Sequence, residues 1–146
     1  MADAGGTPTP QWVVRLLGID FGFARIGAAV TDDAVGLPSP LPALSASGKL
    51  KSDAVAVAAL AKRQEADKIV LGLPLEDGQE GRMARVMRQL GGHLQAAGLV
   101  VDYVDETLTS VEAEGVLLGT GMKASERRKV RDGEAACRIL ERYLDR

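Results

Sequence analysis

The sequence contains one cysteine, Cys137, and one histidine, His93. A single thiol excludes an internal disulfide and every multi-cysteine zinc arrangement. A single imidazole excludes a site built mainly of histidines, so any metal must be held by oxygen. Aromatic residues make up only 3% of the chain, which argues against a platform of several rings for single-stranded nucleic acid. No stretch approaches the roughly 20 apolar residues that a membrane-spanning helix requires, and the start of the chain lacks the basic and apolar regions of a secretory leader. The expectation is a cytoplasmic protein with no membrane partner. Charge of one sign is lacking too: 18 Lys and Arg against 20 Asp and Glu leave a net −2, a total that does not announce a polyanionic partner.

What is present fits one soluble domain: 146 residues, 46% of them apolar and 26% charged, enough to bury a core without staples. Residues 1–11, rich in Gly, Thr, Pro and Ala, read as a mobile tail, leaving 12–146 as the domain. The basic charge is clustered although the total is not. Lys123, Arg127, Arg128, Lys129 and Arg131 face only Glu126, and Arg82, Arg85 and Arg88 follow one another with no acid between. The stretch from Lys123 to Arg131 reads as a mobile loop that could add salt-dependent affinity for phosphates.

Along the chain, VVRLLGID (13–20) is a nearly continuous apolar run ending near glycine, as in a strand covered on both faces. RIGAAVT (25–31) follows after a connection short enough for an antiparallel hairpin. Residues 36–44, with prolines at 38, 40 and 42, read as an edge strand or extended strip. Residues 52–66 form an amphipathic helix with Val55, Ala59, Leu60 and Ala66 inward, leading into a strand over 68–72. A second helix spans 81–97, weakened by Gly91 and Gly92, followed by a strand over 99–104. Thr109 and Glu112 make a capping box for a helix to about Gly119, and a last helix covers about 132–144. This order predicts a mixed sheet, its first three strands antiparallel and its later strands parallel, with helices on both faces.

Acidic residues stand where such a fold exposes its ligand site. Asp20 closes an apolar strand at its carboxyl end, although Asp also commonly starts a turn. Asp105 and Glu106 follow directly on another apolar strand; one of them could complement the coming helix. Asp132 shares a helical stripe with Ala136, Ile139 and Tyr143, so it points along a buried face. Either it favours the dipole of a first helical turn or it needs a cation to offset its desolvation. Carboxylates from separate elements, with no imidazole or thiol to join them, form an oxygen-only set suited to Mg²⁺ or Mn²⁺. Two such ions about 3.5–4 Å apart activate water and stabilise the leaving oxygen of a phosphodiester.

Four stretches, LLGIDFGFARIGAAVTD, IVLGLPLEDGQEG, VDETLTSVEAE and DGEAACRILERYLD, resemble in order and spacing the YqgF/RuvX family of Holliday junction resolvases, over about residues 14–144. The resemblance implies an RNase H-like fold and a nuclease acting on branched DNA or on the precursor of small-subunit ribosomal RNA. It puts the family's metal-binding acids on Asp20, Glu106 and Asp132, with Asp20 bridging two ions and Asp105 a neighbour. Phe23 and Ala24 stand where the first motif usually has Thr and a basic residue, while Arg25, Ile26 and Gly27 are retained. Thr107 replaces the third motif's usual arginine, and the loop from Leu75 to Gly78 is short.

The expected function is a divalent-metal-dependent nuclease, with Arg25, Arg82, Arg85 and the 123–131 cluster gripping nucleic acid. The amides after Gly72 could meet a phosphate at a helix start, or simply form a turn. A homodimer is expected if two strands of a junction are cut symmetrically. Two rivals stay open: a nucleic-acid or ribosome-binding module with weakened catalysis, and an actin-like phosphotransferase, which the short chain disfavours. Cys137 is expected in the core, His93 on a helix surface, and Trp12 buried as an anchor for the tail.

Overall fold

A computed structural model describes residues 12–106 and 124–145, with backbone alone over 124–131. The elements are β1 (Arg15–Phe21), β2 (Arg25–Asp32), β3 (Ser39–Ser45), α1 (Leu50–Arg63), β4 (Lys68–Glu76), β5 (Gln79–Glu80), α2 (Arg82–Ala96), β6 (Val101–Glu106) and α3 (Ala124–Leu144). One six-stranded sheet has the order β3-β2-β1-β4, with β5 and β6 both on β4. β1, β2 and β3 are antiparallel, and β1, β4 and β6 are parallel. This is the mixed sheet expected from the order of elements, and it agrees with the RNase H-like fold that the resemblance implies.

Strand alternation splits the core in two. Leu17 and Ile19 of β1, Ile26 and Ala28 of β2 and Ile69 and Leu71 of β4 pack with Val57 and Leu60 of α1 and with Met87, Leu90 and Leu94 of α2. Leu16, Ala29, Val70 and Val104 turn to the other face, where Ala136, Cys137, Ile139 and Leu140 of α3 cover them. Helices thus lie on both faces, and Cys137 is in the core as expected.

In α1 the inward stripe is Ala54, Val57, Leu60 and Ala61, while Val55 is exposed. The buried Asp53 carboxylate accepts a hydrogen bond from the Ser47 amide at 2.8 Å, and this contact goes with a helix face rotated from the expected one. Gly91 does not interrupt α2. A side chain there would run into the Tyr103 hydroxyl, so its glycine lets β6 approach, and Arg88 lies 5.0 Å from the same ring. β4 continues past Gly72 to Glu76 and turns back into β5 through Asp77 and Gly78, both at positive φ. The segment expected as a possible phosphate loop is therefore largely strand and tight hairpin.

The last helix begins at Ala124 rather than 132, so the stretch from 124 to 131 is helical, not a loop. Asp132–Gly133 resembles a helix start because both residues are poor helix-interior residues. Gly133 is instead demanded by packing, since a Cβ there would come within 2.7 Å of Pro40 on β3. Trp12 is 81% exposed and anchors nothing among the described residues. Residues 1–11, Thr107, the capping box at Thr109 and Glu112, and Lys123 lie outside the described residues.

Candidate active site

Asp20 lies near the carboxyl end of β1. It belongs to the set of alternate residues, with Leu16 and Gly18, that faces α3, and across the hairpin it pairs with Gly27 of β2. A side chain at position 27 would overlap the backbone carbonyl of Asp132. Because glycine is there, α3 lies directly on β2 at this point. Asp20 and Asp132 consequently line one cleft of about 270 Å³, walled by the β1–β2 turn.

Asp132 is well inside α3, which removes the first-turn explanation for its charge. Its partner is Arg25: Nε donates to Oδ2 at 2.6 Å, with the Asp132 side chain 14% exposed and that of Arg25 34% exposed. The cation needed to offset desolvation is thus supplied by the protein itself. Arg25, expected as a nucleic-acid contact, is engaged with a carboxylate of the cleft.

Glu106 ends β6 in register with Pro74, and Val104 pairs with Gly72. A Cβ on Gly72 would overlap Oε2 of Glu106 and come within 2.6 Å of the Ile139 methyl. The Glu106 carboxylate therefore leans from β6 over β4, into the space that the glycine leaves. Ile19 pairs with Leu71, so the next position along β1, Asp20, lies beside this same glycine. Asp105 points the other way and is exposed; its backbone carbonyl accepts Arg142 Nη1 at 2.7 Å.

Asp20 and Asp132 are brought together and Glu106 is brought to the adjoining strand. Among the described residues no set of three acids or imidazoles already forms a metal shell. The donors nonetheless fit a hard cation in kind: they are carboxylate oxygens at the open end of a sheet, two of them in one cleft. Arg82 and Arg85 are exposed on the first turns of α2. Arg127, Arg128, Lys129 and Arg131 fall on the first half of α3.

Two shaping glycines and one ring at the site are not evident from the sequence alone. Gly27 and Gly72 interrupt apolar strands, a signal of close approach that does not say what approaches. Phe23 is 72% exposed at the rim of the cleft.

The family model described as "RuvX: Holliday junction resolvase" matches residues 14–146. A relative from Anaeromyxobacter dehalogenans, named "Putative pre-16S rRNA nuclease", is 40% identical over 135 residues, covering 91% of this chain and 98% of its own. A relative of the same name from Lactococcus lactis is 39% identical over 136 residues, covering 90% and 94%. In fold, the chain is similar to the T. thermophilus RuvC solved in complex with a Holliday junction substrate, with a TM-score of 0.55, 15% identity and coverage of 90% and 95%. With matching motifs, matching fold and near-complete coverage in both directions, the chain belongs to the RuvX family.

Proposed function

We propose that this protein is a divalent-metal-dependent nuclease that hydrolyses phosphodiester bonds in structured nucleic acid. Its substrates are branched DNA, precursor 16S rRNA at its 5′ end, or both. The observation that carries the reading is the meeting of Asp20 and Asp132 in one cleft, with the Glu106 carboxylate laid over Gly72 beside it. Asp20, Glu106 and Asp132 would hold Mg²⁺ or Mn²⁺, as one ion or a pair, which when bound activates water and stabilises the leaving oxygen. Arg25 holds the Asp132 carboxylate in place. Arg82, Arg85 and the basic residues of α3 supply sequence-independent affinity for phosphates. If a four-way junction is the substrate, two symmetric cuts require a homodimer.

One observation favours a second reading, a binding module with weakened catalysis: the Asp132 carboxylate is already held by Arg25. The two readings separate in one experiment. Purified protein is given a four-way DNA junction and a 5′-extended 16S rRNA precursor, each with Mg²⁺ or Mn²⁺. The nuclease reading predicts cleavage of at least one substrate. It also predicts that Asp20→Asn, which removes charge without changing shape, lowers the rate by about a hundredfold or more with an unchanged melting curve. Binding of both substrates without cleavage establishes the module, and undiminished cleavage by Asp20→Asn puts the site elsewhere.

A further inference from the structure

The β1–β2 turn carries a large apolar ring on its surface. Phe23 is 72% exposed, yet it is not loosely placed. Its ring meets that of Phe21 edge to face, with centroids 6.4 Å apart and planes at 78°. Phe21 in turn packs against the larger core. The turn is closed by the Gly22 amide donating to the Arg25 carbonyl at 2.9 Å, and a Cβ on Gly22 would come within 2.8 Å of that same oxygen. A braced apolar ring therefore shares the cleft with Asp20 and Asp132.

That pairing limits what can lie on it. An apolar peptide side chain would have to sit beside two carboxylates. A nucleotide instead joins a phosphate, suited to cation-bearing acids, to a flat π face one sugar away. The other aromatic residues do not compete for this role. Tyr103 lies against Arg88, Tyr143 against Lys68, and Trp12 precedes β1 at the end opposite Asp20. One ring can stack one base, and a base in a continuous duplex has both faces covered already.

Building on the nuclease reading, the geometry points to Phe23 as a stacking platform for a single unpaired nucleobase next to the phosphate that is cut. The substrate class is thereby narrowed to DNA or RNA in which the nucleotide flanking the cut is unstacked, at a branch, a nick or a single-stranded extension. Stacking on an aromatic side chain is tolerant of base identity, so the platform selects for local structure and not for sequence.

The test is binding by the full-length protein with Ca²⁺ in place of Mg²⁺ or Mn²⁺, so that the acids carry a hard cation while cleavage is suppressed. The probes are DNA and RNA duplexes with single-stranded extensions, with one 2-aminopurine or one abasic site moved along the extension. At one position the fluorophore is quenched by the wild type and by Phe23→Tyr but not by Phe23→Ala, and Phe23→Ala weakens binding about five- to hundredfold. An abasic site at that position weakens wild-type binding to the same extent, and Phe23→Ala then adds nothing further. The DNA and RNA arms show which nucleic acid supplies the base. If the wild type binds and cuts but Phe23→Ala binds equally well, or loses as much on the abasic probe, the platform is refuted and the nuclease reading stands. If Phe23→Ala converts a dimer into a monomer in sedimentation, the ring belongs to an interface between copies and the platform is refuted. A wild type that binds neither nucleic acid refutes both.

Discussion

Gly72 shows how much of this site depends on a side chain that is not there. With any Cβ at that position the Glu106 carboxylate and the Ile139 methyl would both have to move. Glu106 can swing on its own torsions; Ile139, buried where α3 meets the sheet, cannot do so freely. Gly72→Ala is therefore expected to lower stability by about 1–3 kcal/mol through overpacking and to reduce cleavage by displacing Glu106. Thermal denaturation and turnover measured on the same preparation check both; an unchanged melting curve with full activity would show that the glycine is incidental. The acids themselves were legible from sequence, because a charge closing an apolar strand or sitting on an apolar helical stripe is costly unless it is used or paired. Arg25 as the partner of Asp132 was not legible, since 107 positions separate the two and no local pattern joins them. Phe23 was visible only as a departure from the family motif, and its exposure required the turn.

At the scale of elements, α3 decides the shape of the site. It lies close on the sheet because Gly18 leaves room for Leu140 and Gly27 for the backbone at Asp132. Cys137 reports on that docking. Burial pushes its thiol up to about 11, with Glu134 and Glu141 adding to the effect. A thiol raised above its unfolded value of about 8.5 stabilises the fold fully below that pH, and this contribution is lost as pH rises toward 11. In the native protein at pH 8 alkylation of Cys137 by iodoacetamide is expected to be at least about tenfold slower than in urea-unfolded protein. Equal rates would mean that α3 is not seated as described. The existence of each described helix was legible from periodicity, but two placements were not. The face of α1 goes with the Asp53 contact to Ser47, and the start of α3 is masked by a glycine that serves Pro40. Both depend on contacts between elements, to which local propensity is blind.

For the molecule as a whole, function rests on the sheet order. β1 lies between β2 and β4, and β6 follows β4. Consequently residues far apart in the chain, from β1, β6 and α3, meet at one end of the sheet. At the other end a hydrogen-bonded chain from Lys68 through Tyr143 to Asp102, both links 2.9 Å, fastens the tail of α3 to β4 and β6. By this convergence Asp20, Glu106 and Asp132 are proposed to form a single cation site although they belong to different elements. Titrating Mn²⁺ into the protein and following it by calorimetry and electron paramagnetic resonance tests this without relying on activity. Saturable binding is expected of the wild type, with affinity lowered about tenfold or more in each of Asp20→Asn, Glu106→Gln and Asp132→Asn. Unchanged affinity in any one of the three, with the fold intact, would contradict it.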